Sequence, residues 1–207
     1  MIKKEIYPKT KRVKCDNNYF QITEKLDGSN LVIFKLNDEL YFAQRNNIFN
    51  VNEIEDNKGM LYKGLFQWIL DNKDILQKEL NNNSALCGEW LGMGKIKYTI
   101  DEFDKRYYMC AKANIYDDMK LTNILYDHDL FIYPFISQKI PSCIGIVPIV
   151  KRINCTPNKD YLDAIYERYT EKVNRKVEGF VIDYKNMITK YVRYKNNKLT
   201  EHFDRGE

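Results

Sequence analysis

The stretch Glu24-Lys-Leu-Asp-Gly-Ser-Asn30 puts a lysine at the end of a strand-like run, an acid and a glycine in a turn, and an asparagine at the start of the next strand. An amine in such a place can serve as a nucleophile once its ammonium has lost a proton. By itself Lys-x-Asp-Gly is also an ordinary strand-joining turn, because Asp-Gly favours tight hairpins. Three further pieces change that reading. Gly88-Glu-Trp90 offers a carboxylate within an apolar strand, and Val177-Glu-Gly-Phe-Val-Ile182 places another before a glycine and a hydrophobic run. Tyr191-Val-Arg-Tyr-Lys195 spaces two cations at i and i+2, which on a strand point to the same face. One lysine, two strand-borne carboxylates and a cation pair form a constellation suited to covalent phosphorus chemistry.

Those residues need strands to hold them, and the hydrophobic pattern supplies them. Tyr19 to Lys25 alternates apolar and polar, Leu31 to Phe34 is β-branched and aromatic, and Leu40 to Ala43 follows the turn signal Asn37-Asp38. From Met60 to Leu80 the period becomes helical, with Leu61, Leu65, Trp68, Ile69, Leu76 and Leu80 on one stripe, and Asn81-Asn-Asn83 ends it. Ala85–Leu91 and Tyr107–Tyr116 read as strands, and Lys120 to Tyr126 as a short helix. Ser137 to Pro157 holds three prolines and strand-like pieces including Ile144 to Val147. A second helix is predicted from Lys159 to Val173, then two closing strands, Glu178–Asp183 and Thr189–Lys195. Many strands with few helices predict the α+β class with antiparallel sheets.

Composition sets the outer bounds. The chain has 207 residues, with 33 Lys and Arg against 29 Asp and Glu, a formal charge of +4. That excludes a histone-like polycation and leaves room for a local basic groove. A content of 44% hydrophobic and 14% aromatic residues excludes disorder over the whole length. No apolar run approaches the roughly 18 residues of a membrane helix, and the first eight residues lack a secretory core. The five cysteines, Cys15, Cys87, Cys110, Cys143 and Cys155, are widely spaced, and His128 and His202 are the only histidines, so zinc-ligand spacing is missing. The expectation is a soluble, intracellular, cytoplasmic monomer with reduced thiols and no membrane association.

The motifs, in this order, resemble those of the covalent nucleotidyltransferases, the ATP-dependent ligases and capping enzymes. The likeness is closest to RNA ligases of the nick-sealing RNA ligase 2 type. It rests on Glu24 to Asn30, on Arg45 in Ala-Gln-Arg-Asn-Asn47, on Cys87-Gly-Glu-Trp90, on Val177 to Ile182, and on Tyr191 to Glu201, so it covers about residues 20 to 201. The resemblance implies a nucleotidyltransferase fold, that of an ATP-grasp-like ligase adenylation domain, with twisted antiparallel sheets and flanking helices. A single adenylation domain would span 1–207, with no C-terminal accessory domain.

The resemblance also implies roles. Lys25 would attack the α-phosphate of ATP, expel pyrophosphate and form lysyl-AMP. Arg193, Lys195 and Mg²⁺ (or Mn²⁺) would hold the α-phosphate and neutralise its transition state. Glu89 is similar to the family glutamate on the ribose hydroxyls, and Glu178 to the one near metal and phosphates. Glu24, Asn30 and Arg45 sit where the family contacts the nucleotide or the nucleic-acid end, while Asp27 and Gly28 would shape the turn. An aromatic ring that stacks on adenine is expected some way beyond Glu89. Tyr108 is favoured over Tyr107, and a core role for either stays equally open.

Two departures from the family pattern stand out. Arg193 occupies a position where lysine is usual, which keeps charge and alters geometry. The chain also stops a few residues past the last motif, where RNA ligases of this type usually continue. The implied substrates are ATP and RNA with 5′-phosphate and 3′-OH ends, with Lys95 and Lys97 as further candidate phosphate contacts. The alternatives are a minimal DNA ligase, a capping-type guanylyltransferase, or a catalytically silent RNA-binding module on the same fold.

Overall fold

A computed structural model describes residues 20–126, 140–184, 187–195 and 198–203, the side chains of Met187, Tyr194, Lys195 and 198–203 excepted. The described residues divide into two compact units: those within Gly28–Ile146 form one, and Phe20–Asp27 joins those from Val147 onward in the other.

The first unit is built on a seven-stranded sheet. Its strands are β2 (Ser29–Leu36), β3 (Glu39–Ala43), β4 (Ile48–Asn50), β5 (Ser84–Trp90), β6 (Tyr107–Ile115), β7 (Leu121–Leu125) and β8 (Gly145–Ile146). They run in the order β4-β3-β2-β5-β6-β7, with β8 paired in parallel to β6. Asn37 and Asp38 both take positive φ (51° and 62°), the conformation a two-residue hairpin requires, and so join β2 to β3. Helix α1 (Leu65–Glu79) buries Leu65, Ile69 and Leu76 in a core with Leu31, Ile33, Phe42, Leu86 and Trp90. It begins five residues later than its apolar stripe suggests, because Lys58–Met60 is a separate 3₁₀ turn. The segment predicted as a helix from Lys120 to Tyr126 is instead the strand β7. It completes a hairpin on β6, with Asn114 opposite Thr122 and Ile115 opposite Leu121. Seven residues are too short for periodicity to separate helix from strand, and pairing with β6 decides the matter.

The second unit holds a five-stranded sheet in the order β12-β11-β10-β1-β9. Its members are β1 (Phe20–Lys25), β9 (Ile149–Ile153), β10 (Gly179–Tyr184), β11 (Met187–Lys195) and β12 (Lys198–Phe203). The last of these extends the two closing strands expected from the sequence. Helix α2 (Lys159–Val173) has the predicted bounds, because Asn158 caps it by accepting the Tyr161 N–H and Asn174 ends it at φ 49°. It buries Leu162, Ile165 and Tyr166 against Phe20, Ile22, Phe180, Ile182 and Tyr191. β1 and β2 do not form the hairpin that Asp-Gly alone suggests: β1 pairs with β9 and β10, β2 with β3 and β5. Among the described residues no helix is long and apolar enough to cross a membrane.

Candidate active site

In the second unit Lys25 is the last residue of β1 and lies opposite Gly179 of β10. Its Nζ donates to Glu178 Oε2 at 2.6 Å, and the two side chains are 26% and 12% exposed. Glu178 stands two residues before Phe180, whose ring faces α2, yet it meets Lys25 rather than that core. The alternation breaks at Gly179, where φ is 157° and an added Cβ would run into the Tyr191 carbonyl oxygen. Glycine is therefore required between the carboxylate and the strand.

Glu24, one residue before Lys25, points to the opposite face, as strand alternation demands. Its fully buried carboxylate receives both terminal nitrogens of Arg175 and, at 2.7 Å, the Tyr169 hydroxyl. Burial pushes the Tyr169 phenol far up, and the charge of Glu24 adds to the effect. Glu24 is thus engaged with α2 and its C-terminal turn.

Arg193 lies on the α2 face too. Its guanidinium donates to Asp163 at 3.3 Å and sits 5.6 Å over the Tyr166 ring. Tyr191, two residues earlier, donates its hydroxyl to the same carboxylate, and Lys159 bonds it at 2.8 Å. Burial alone would raise Asp163, but the hydrogen bonds from Lys159 and Tyr191 and the charge of Arg193 hold it below the ordinary carboxylate value. Arg193 and Lys25 are therefore not brought together: the expected phosphate cation is occupied by an acid on α2, a residue with no local motif to mark it. The backbone of Lys195 continues β11 opposite Lys198, and its side chain lies outside the described residues.

The remaining expected residues belong to the first unit. Asn30 and Glu89 are direct cross-strand partners on β2 and β5. Gly28 precedes them, and a Cβ there would collide with the Trp90 carbonyl and the Glu89 side chain, so the Asp-Gly turn is fixed by close approach. Arg45 is exposed in the loop after β3. Tyr62, which sequence reasoning missed, ties these groups together. Its hydroxyl donates to the Asn30 carbonyl at 3.2 Å and accepts the Arg45 N–H at 3.4 Å. Burial raises its phenol above the ordinary tyrosine value despite the Arg45 hydrogen bond, and the charge of Glu89 adds to the rise. Gln44, 7% exposed, reinforces the loop by accepting the Tyr62 N–H at 2.6 Å and donating to the Met60 carbonyl at 2.9 Å. No periodicity marks Tyr62, which precedes α1 in an irregular segment.

Both tyrosines of the pair after Glu89 are packed. Tyr107 is fully buried and its hydroxyl donates to the Leu31 and Leu86 carbonyls, so it belongs to the core. Tyr108 is 5% exposed, edge-on to Phe103, with Gly145 against its ring and its hydroxyl on Asp104. Burial pushes its phenol up to about 12. Neither ring presents an open face for a base. Lys97 donates to the Gly94 carbonyl at 2.8 Å, within the loop that follows β5. Among the described residues no three His, Cys, Asp or Glu side chains gather into a metal cluster.

The family model described as RNA ligase matches residues 18–197, nearly the whole chain. No curated protein matches significantly. Among solved structures, a variant of an RNA ligase from Naegleria gruberi with AMP and Mn is 17% identical, with a TM-score of 0.51. That match covers 92% of this chain and 60% of the other. A second variant of the Naegleria enzyme, in its apo form, is 16% identical at a TM-score of 0.50, covering 93% and 60%. The likeness is one of fold, and the chain spans about 60% of the length of the structures it matches. The extent of the family match settles the membership: the chain belongs to the RNA ligase family.

Proposed function

We propose that the chain is the adenylation core of an ATP-dependent RNA ligase, a covalent nucleotidyltransferase of the RNA ligase 2 type in which both units make one catalytic domain. The observation that carries this reading is the 2.6 Å contact of Lys25 with Glu178, held where β1 and β10 pair. In the first step Lys25 Nζ, partly exposed, releases a proton to water and attacks the α-phosphorus of ATP. The N–P bond forms as the bond to the β-phosphate oxygen breaks, and pyrophosphate leaves with that electron pair. AMP then passes from Lys25 to an RNA 5′-phosphate, and an RNA 3′-OH displaces AMP to make the phosphodiester.

Glu178 would hold a divalent cation. Mg²⁺ takes one or two carboxylates and completes its shell with water and phosphate oxygens, so the one largely buried carboxylate of Glu178 fits it without a protein cage. When bound, the ion would supply positive charge at the phosphates. Glu89 would accept hydrogen bonds from the ribose hydroxyls, while Asn30 and Arg45 would contact the nucleotide or the RNA end. Lys195 would hold the α-phosphate. Arg193 would reach that phosphate only by exchanging Asp163 for it.

The test is uptake of label from α-labelled ATP with Mg²⁺. The purified chain should become labelled, and Lys25→Ala should not; absence of label from the wild-type chain would overturn the enzymatic reading in favour of a silent RNA-binding module. Labelling from GTP in preference to ATP would point to capping chemistry. Offering pre-adenylylated RNA and DNA, nicked and single-stranded, side by side separates an RNA ligase from a minimal DNA ligase.

A further inference from the structure

We infer that Glu24, Arg175 and Tyr169 form a positioning clamp for the nucleophile, so that Glu24 acts through Lys25 rather than on the nucleotide. Two adjacent residues of β1 are each paired with the segment that leaves α2, on opposite faces and with opposite polarity. Glu24 takes Arg175 on the α2 face, and Glu178 takes Lys25 on the other. Between those two pairs the segment is pinned a third time, where the Tyr166 hydroxyl donates to the Val177 carbonyl at 2.8 Å. Asn174 turns the chain out of α2 in the left-handed conformation, which aims Arg175 at β1.

The clamp is built to be stiff. Its carboxylate is fully buried and the Arg175 side chain only 9% exposed. A guanidinium that grips both carboxylate oxygens restricts translation and rotation together, which a single hydrogen bond does not. Tyr169 takes one of the same oxygens as well. A charge so enclosed cannot exchange its partner for a nucleotide without leaving Arg175 unpaired in the interior. The cost of losing the clamp falls on the placement of Lys25 Nζ, where a shift of about 1 Å is enough to slow attack up to a hundredfold.

The inference rests on Lys25 as nucleophile, and the readouts separate the two. In a folded Arg175→Met protein, the rate constant of lysyl-AMP formation at saturating ATP should fall by about tenfold or more. The KM for ATP and the joining of pre-adenylylated RNA, which needs no lysine nucleophile, should each stay within about threefold. Arg175→Lys, which keeps the charge but not the two-pronged grip, should recover part of the loss. Tyr169→Phe keeps the ion pair and should show the same pattern at smaller size, and it carries the test if Arg175→Met does not fold. An unchanged rate constant, a loss in KM, or an equal loss on pre-adenylylated RNA would each overturn the clamp; the last two would put Glu24 on the nucleotide. A readout free of ligase activity is competitive amine labelling, read by peptide mass. Lys25 should label about threefold faster relative to Lys63 in Arg175→Met or Tyr169→Phe, since its hold by Glu178 loosens. If the wild-type chain forms no lysyl-AMP while this labelling still responds, the proposed function fails and the clamp stands; unchanged Lys25 labelling would remove the clamp itself.

Discussion

The surroundings of Lys25 and those of Arg45 are held by different kinds of force. Around Lys25, charges meet charges: Glu24 with Arg175 on one face of β1, and Lys25 with Glu178 on the other. Around Arg45 the backbone is fixed by neutral groups, the Tyr62 phenol and the Gln44 amide, while the guanidinium itself stays exposed. Ion pairs with low exposure confer strict geometry, because each broken pair leaves a desolvated charge. Neutral hydrogen bonds to backbone are worth about 1 kcal/mol each and place a loop without spending the charge its side chain carries. Lys25 is locked in place by its ion pair, and the Arg45 guanidinium is left exposed on a fixed backbone.

Substitutions can break or sharpen that contrast. Lys25→Ala should abolish lysyl-AMP formation, a loss of about 10³-fold or more in label transfer, with an unfolding curve close to wild type. Glu178→Gln keeps the shape but removes the charge, and should slow adenylylation by about 10²-fold in single-turnover assays. The Arg45 side should respond more mildly. Tyr62→Phe deletes the hydrogen bonds to Asn30 and Arg45 and should cost about tenfold in kcat/KM, mainly through KM. A kcat loss as large as that of Glu178→Gln would erase the distinction between the two regions.

The smallest effect concerns stability. Asp163 has a depressed folded value, so its contribution is present above the unfolded value of about 4 and is lost as pH falls through the folded one. Asp163→Asn should lower Tm by about 2–4 °C at pH 7, and the gap to wild type should close below about pH 4. A gap that persists in acid would mean that the Arg193 and Lys159 pairs contribute little.

Elements with strong local signals were legible in the sequence. Helix α2 carries its own cap, stripe and stop, so its bounds follow from Asn158, the apolar spacing and Asn174. Lys25 and Glu178 were each legible as candidate site residues by motif order, although their contact, and the break at Gly179 that turns Glu178 toward the lysine, were not. The partner of Glu24 was beyond reach, because Arg175 lies 151 residues away and reads locally as one more cation after a helix. The i, i+2 rule placed Arg193 on a single strand face but could not say which, and Asp163 on α2 is what engages it there. Tyr108 shows the same limit: strand alternation says that neighbours face apart, while packing by Phe103 and Gly145 encloses the ring.

The place of β1 in its sheet has a consequence for how the protein is made. The described strands of the first unit all fall within Gly28–Ile146, so they can pair with one another as they leave the ribosome. β1 emerges before all of them, yet its neighbours β9 and β10 are not complete until Ile153 and Tyr184 have been synthesised. Its alternating apolar residues must wait exposed while more than a hundred others are added, the costly ordering expected of non-local strand pairing. Lys25 is thus synthesised before every strand of the first unit and meets its neighbours Gly179 and Glu178 only after all of them, and a chain cut short before Arg175 would lack the partner that holds the Glu24 carboxylate.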